Sequence, residues 1–126
     1  MKRILVVDDN QTICEFLEKR LKTWGYEVTS VLSGDEALMR VQQEKPDLIL
    51  LDIVMPGTDG LEVARILRNN KDSSLIPIIM VTAKANDLQS RLDKAELKIE
   101  GHVAKPFMTD QLLGEIERVI EQSGKG

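Results

Sequence analysis

At 126 residues the chain fits one domain of ordinary size, long enough to bury a core without disulfide or metal staples. Its 42% hydrophobic and 30% charged residues are a soluble globular balance, and a formal net charge of −4 gives no electrostatic footprint for nucleic acid or an anionic membrane. A single cysteine, Cys14, excludes an internal disulfide framework.

Residues 4–7, Ile-Leu-Val-Val, form a continuous apolar run, which suits a first strand buried on both faces of a parallel sheet. The run follows Lys2 and Arg3 but is too short for a signal peptide and stops at Asp8-Asp9. No apolar run reaches the roughly 18 residues of a membrane span, so a cytoplasmic location is expected. Ile13, Phe16, Leu17, Leu21 and Trp24 then recur at helical spacing. Cys14 is expected as a small, partly buried residue of that helix, with no His or second Cys nearby to make it reactive. Residues 28–32 read as a less apolar second strand. Ser33 followed by Glu36 is a capping box that opens a second helix through Ala37, Leu38 and Val41. Residues 48–51 are the third strand, and Pro56-Gly57 and Asp59-Gly60 mark the loop behind it. Asp59 with Glu62 repeats the capping box ahead of Leu61, Ala64 and Leu67.

The second half continues the alternation. Residues 76–81 are the fourth strand. Asn86 with Gln89 is expected to open a fourth helix carrying Leu88, Leu92 and Ala95. A weak fifth strand spans 102–104, and Thr109 is expected to cap a fifth helix with Leu112, Leu113, Ile116, Val119 and Ile120 inward. Five β-α pairs in this order predict a doubly wound α/β domain, a parallel sheet with helices on both faces. The domain is placed at residues 1–122, with 123–126 as a short tail.

In such folds ligands bind outside the carboxyl ends of the strands, where the strand order reverses. Strand one ends in Asp8-Asp9 and strand three in Asp52. If the order is 2-1-3-4-5, these strands are neighbours about 4.8 Å apart, and three carboxylates then crowd one pocket. Two unit charges about 4 Å apart repel by roughly 4 kcal/mol at an effective dielectric near 20. Either one carboxyl stays protonated or a cation sits among them, and an oxygen cage with open positions suits Mg²⁺. A plainer reading makes Asp8 and Asp9 caps of the first helix. Asp52 at a second strand end favours the pocket. Thr82 and Lys105 close strands four and five on the same edge. Each alone reads as a turn cap or a solvated lysine; beside three aspartates they point to an anion that comes and goes.

ILVVDDN, LILLDIVMPGTDG, PIIMVTAK and AKPF stand in the order, and near the spacing, of the receiver domain of two-component response regulators, which the chain resembles from Lys2 to about Gln122. The resemblance, chemotaxis-regulator-like, implies a flavodoxin-like (βα)5 fold with a five-stranded parallel sheet ordered 2-1-3-4-5. It implies that Asp52 is the phosphoacceptor. It makes Asp9, Asp52 and the Val54 backbone carbonyl direct ligands of Mg²⁺ (or Mn²⁺), with Asp8 acting mainly through water. Thr82 is the hydroxyl that moves to the phosphoryl group, and Lys105, followed by a cis proline, pairs with Asp52 at rest. The implied donor is a phosphohistidine on a sensor histidine kinase or histidine phosphotransfer domain, met by Asn10, Gln11, Cys14 and Phe107. An output partner or a second copy would use the face of helix four, strand five and helix five, where Arg91, Lys94 and His102 lie. Neither nucleic acid nor membrane is an expected direct partner. The expected role is a signalling switch that assists its own phosphorylation and dephosphorylation, not an enzyme acting on other molecules.

Some positions depart from the family pattern. His102 stands where Tyr or Phe is usual in the switch, which predicts switching that depends on pH near ~6.5. Lys98 lies near a position that relatives give to glycine, and the stretch 82–105 is about one residue longer than is common. Val54 and Lys84 flank the expected path of the hydrolytic water. Because the Val54 side chain cannot hydrogen-bond water, a long-lived phosphorylated state is predicted. Two other functions compete. A metal-dependent phosphatase with an Asp nucleophile needs a second acid two residues on, where Val54 stands. A receiver-like interaction module that is never phosphorylated has no need of the intact set Asp8, Asp9, Asp52, Thr82 and Lys105. A flavin site would lack a hydroxyl-rich phosphate loop after strand one, where Asp8 and Asp9 repel an anion.

Overall fold

The structure, a computed structural model, describes residues 1–83 and 86–124. Strands and helices alternate: β1 (Arg3–Val7), α1 (Gln11–Thr23), β2 (Glu27–Val31), α2 (Gly34–Gln43), β3 (Leu48–Asp52), α3 (Gly60–Asn69), β4 (Ile78–Thr82), α4 (Leu88–Lys94), β5 (Gly101–Ala104) and α5 (Thr109–Gly124). The strands form one parallel sheet in the order β2-β1-β3-β4-β5, the flavodoxin-like arrangement expected. Among the described residues no helix is long and apolar enough to cross a membrane.

The continuous apolar runs are explained by burial on both sides. Ile4, Val6, Leu48, Leu50, Ile79, Val81 and Val103 face α1 and α5, meeting Leu17, Leu21, Leu112, Ile116 and Val119. The alternate residues, Leu5, Val7, Ile49, Leu51, Ile78 and Met80, face Ala37, Val41, Val63, Ala64, Leu67, Leu88 and Leu92 of α2, α3 and α4. Strand side chains alternate faces, so a polar residue at any of these positions would enter one core or the other. Burying each Leu or Ile contributes roughly 1.5–3 kcal/mol.

Both capping boxes open the helices they were expected to open. Ser33 Oγ accepts from the Glu36 amide at 3.2 Å, and Asp59 Oδ1 accepts from the Glu62 amide at 2.9 Å. α1 is capped by Asn10, whose Oδ1 accepts from the Ile13 amide at 3.1 Å, so neither Asp8 nor Asp9 serves as its cap.

Other boundaries differ from expectation. β2 ends at Val31, and Leu32 is exposed. β4 begins at Ile78 rather than residue 76, because Pro77 has no amide to give the ladder, although Ile76 is still buried. Phe16 turns outward, with the Arg20 guanidinium over its ring. Cys14 is fully buried, not partly. Asn86 and Gln89 do not form a capping box: α4 starts at Leu88 behind Asp87, which makes no side-chain cap, and the Gln89 amide donates to Asp93. α4 is held instead by Leu88 and Leu92 in the core.

After α4 the left-handed residue is Glu96 (φ 55°), two residues before Lys98. The Leu97 amide donates back to the Leu92 carbonyl and the Glu96 amide to Asp93, a Schellman closure with a carboxylate-bearing residue where glycine is preferred. Thr109 is the first residue of α5 rather than its cap; the Met108 carbonyl accepts from the Leu112 amide. α5 runs through Ser123 and Gly124, two residues placed in the tail from sequence.

Candidate functional site

β1 and β3 are paired in register, Val7 beside Leu51, so Asp8 emerges beside Asp52 at the carboxyl end of the sheet. Asp8, Asp9 and Asp52 each present an oxygen within 4.8 Å of the others. Asp8 and Asp52 are buried, at 3% and 6% exposure, while Asp9 is open to solvent. Asp8 Oδ1 accepts from the Asn10 amide at 2.9 Å, so one asparagine both caps α1 and aims Asp8.

β4 and β5 bring the other two predicted residues to the same end. Thr82, the last residue of β4, is fully buried opposite Ala104, and its carbonyl accepts from the Lys105 amide at 2.8 Å. The Lys105–Pro106 bond is cis, as expected. Lys105 Nζ lies 2.7 Å from Asp8 Oδ2 and 3.3 Å from Asp52 Oδ2. The expected pairing with Asp52 is therefore shared, and Asp8 holds the nearer contact.

The electrostatics follow from two buried carboxylates sharing one ammonium. Burial pushes the Asp52 carboxyl above its ordinary value and the Asp8 charge adds to this, while Lys105 and the Val54 amide oppose it. Burial pulls Lys105 down, but its contacts with Asp8 and then Asp52 carry it above the usual lysine value. Asp52 is thus raised by burial in spite of Lys105, and Lys105 is raised by its two carboxylates in spite of burial. Hard oxygen donors with uncompensated charge and one ligand open to solvent fit Mg²⁺ or Mn²⁺.

Several residues that shape the pocket were given no individual role from the sequence. Gly60 opens α3 directly beneath Asp52: a Cβ there would strike the Asp52 carbonyl oxygen and sit 2.8 Å from the Ile53 Cα. Its amide donates to the Ile53 carbonyl at 2.9 Å. Thr58 Oγ1 donates to Asp35 Oδ1 at 2.9 Å, tying the loop after β3 to the start of α2. An Asp-Gly step signals a turn, but nothing local says that the turn passes under a reactive carboxylate.

The remaining predicted residues scatter. Val54 has an exposed side chain, and its amide bonds to the Asp52 carboxyl. His102 is exposed on β5 opposite Met80, with its backbone amide bonded to Glu115. Asn10 and Gln11 are exposed beside the pocket, whereas Cys14 is buried and cannot meet a partner. Its thiol lies 3.3 Å from the Asp8 carbonyl, and burial, helped by the Asp8 charge, pushes it up to about 11. Ile13, Phe16, Ala83, Lys105, Pro106 and Phe107 line a shallow apolar recess of about 400 Å³. Lys84 lies outside the described residues.

A family model described as the response regulator receiver domain matches residues 4–117. Among solved structures, the response regulator TrrA of Thermotoga maritima, crystallised in complex with Mg(2+)-BeF, is 38% identical, with 94% of this chain and 99% of that chain covered and a TM-score of 0.83. The chemotaxis response regulator CheY4 of Vibrio cholerae is 32% identical, with 94% of this chain and 98% of that chain covered and a TM-score of 0.86. NtrX of Brucella abortus is 27% identical with a TM-score of 0.85, and the match takes 98% of this chain but 28% of that one.

Proposed function

Because the chain belongs to the response regulator receiver family, we propose that Asp52 accepts a phosphoryl group from a phosphohistidine of a sensor histidine kinase or a histidine phosphotransfer domain, and that the modified domain changes its binding partner. The observation that carries this reading is Lys105 Nζ lodged between Asp8 and Asp52, beside three carboxylates whose oxygens lie within 4.8 Å of one another. A single ammonium poised against a surplus of carboxylate is free to turn toward an incoming phosphoryl oxygen.

Asp9, Asp52 and the Val54 carbonyl would hold the divalent ion directly, and Asp8 would act through water. Bound there, Mg²⁺ or Mn²⁺ supplies charge neutralisation at the phosphoryl oxygens. A carboxylate oxygen of Asp52 attacks phosphorus in line, and its O–P bond forms as the P–N bond to the donor histidine breaks. Lys105 opposes the upward push of burial on the Asp52 carboxyl and then hydrogen-bonds the transferred group. The Thr82 hydroxyl donates a hydrogen bond to a phosphoryl oxygen, and His102 on β5 carries the change toward α4 and α5. The apolar recess beside Lys105 receives the donor domain, with Asn10 and Gln11 on its rim. Val54 offers no side-chain hydrogen bond to a hydrolytic water, which lengthens the life of the acyl phosphate; Val54→Asn should shorten it.

Acetyl phosphate with Mg²⁺ tests the reading. Intact mass should show one stable phosphoryl adduct, lost in Asp52→Asn and absent when the metal is chelated. Steady release of phosphate without an adduct would mean a phosphatase, and neither signal would mean a passive module.

A further inference from the structure

The two edges of the sheet are finished differently. β5 is closed: the Glu115 carboxylate takes the His102 amide, and Arg118 Nη2 donates to the Glu100 carbonyl at 2.9 Å. Gly101 makes room for this brace, since a Cβ there would strike the Glu115 carboxylate. β2, at the other edge, has no such brace among the described residues. The Glu27 amide donates to Lys2 and the Val31 carbonyl accepts from Asp8, so Glu27, Thr29 and Val31 turn their backbone toward β1. Val28 and Ser30 therefore turn theirs outward. Among the described residues no hydrogen bond reaches those outward groups. The strand, Glu-Val-Thr-Ser-Val, also lacks the lysine, proline or bulge with which exposed edges avoid pairing.

We propose that the β2 edge is a self-association surface, on which a second copy of this chain adds its own β2 antiparallel about a two-fold axis at Thr29. Val28 of each copy then pairs with Ser30 of the other and exchanges both backbone hydrogen bonds, while the two Thr29 side chains meet. What selects a second copy is the charge beside the edge. Glu36, Met39 and Arg40 of α2 line a cleft with Thr29, Ser30 and Val31. Glu36 and Arg40 are exposed, one turn apart, and in no ion pair among the described residues. A two-fold axis runs the two α2 helices antiparallel, sets Glu36 of each copy against Arg40 of the other, and brings together the two Met39 side chains, each 60% exposed. Such reciprocity belongs to an isologous contact. The carboxylate pocket and the recess at Phe107 remain open, so the contact is separate from phosphoryl transfer and from the α4-β5-α5 face.

Sedimentation of the full chain across concentration tests this. The wild type should dimerise reversibly. Glu36→Arg and Arg40→Glu should each weaken the dimer about ten-fold or more, since each sets like charges face to face. Mixing the two variants should restore the wild-type dimer, because every contact is again of opposite sign. Circular dichroism and acetyl phosphate labelling check that each variant is folded. A wild type that stays monomeric, or a dimer indifferent to both variants, would overturn the proposal. So would an extended peptide of another protein that binds this edge while the chain itself does not dimerise.

Discussion

On the β1–β3 side of the pocket, short local devices set each carboxylate: Asn10 caps α1 and aims Asp8, Asp59 caps α3, and Gly60 lets that helix start against the Asp52 carbonyl. On the β4–β5 side, α4 has only seven residues, no side-chain cap at Asp87, and a non-glycine left-handed residue at its end. What holds that side is tertiary. Arg68 of α3 reaches the carbonyls of Ser74, Ile76 and Lys98 and the Glu100 carboxylate, which in turn accepts the Ile78 amide. The proposed metal ligands thus sit on the locally determined half, and Thr82 and Lys105 on a half fixed from a distance. Under the proposed function, in which an ion is held at constant geometry while Thr82 and Lys105 move, the pocket profits from that division.

The sharpest way to break the first side is Gly60→Ala. The added methyl meets backbone, which cannot swing away, so unfolding free energy should fall by about 3 kcal/mol and Mg²⁺ affinity with it. Gly114→Ala in α5, where a Cβ meets nothing within 4 Å, should instead stabilise by about 0.5–1 kcal/mol. Urea titrations of the two variants check both signs; equal effects would remove Gly60 from its assigned role. On the second side, Arg68→Ala should cost on the order of 2 kcal/mol, because several carbonyls lose a charged donor at once. Arg68→Lys should not rescue it, since one ammonium cannot span the fork. Hydrogen exchange should quicken in β4 and β5 while β1 stays protected.

Beneath Asp8, the Cys14 thiol makes the first side sensitive to alkali. Its pKa is pushed from an ordinary 9.0 up to about 11, by burial first and the Asp8 charge second. The folded state therefore prefers the neutral thiol. That share of stability is complete below pH 9.0 and is lost as pH rises toward about 11. On the order of 1 kcal/mol should be gone one pH unit into that window. Cys14→Ala should show a correspondingly shallower loss between the two limits, with the difference between the proteins read from unfolding at each pH.

The same division governs what could be read from the chain itself. Ser33-Glu36 and Asp59-Glu62 were legible because a cap is a signal within four residues. Asp8, Asp52, Thr82 and Lys105 were legible because strand ends follow from apolar runs, while the strand order that joins them came with the family resemblance. Asn86-Gln89 carried the same letters as a true cap, yet the helix opens at Leu88, where core packing of Leu88 and Leu92 decides. Nor could local reading see that Lys105 lies nearer Asp8 than Asp52, a contact between distant segments, or that the turn at Gly60 folds back under the Asp52 carbonyl. A paired substitution sharpens the point. Asp59→Ala should cost about 1 kcal/mol through loss of its cap, and Asp87→Ala close to nothing. A comparable loss at Asp87 would mean that α4 is locally capped after all.

Glu96→Gly carries the smallest effect and bears most directly on α4. Glu96 sits at φ 55° in the closing turn, where its Cβ crowds the backbone. Glycine removes that crowding but loosens the unfolded chain, so the net gain should be about 0.5–1 kcal/mol. The backbone bonds of Leu97 to Leu92 and of Glu96 to Asp93 need no side chain and should persist. If the closing turn limits α4, the gain should appear as slower exchange at the Glu96 and Leu97 amides, with the Asp8 and Asn10 amides unchanged. Protection spread evenly over both sides would show that the two halves of the pocket are more tightly joined than their construction implies.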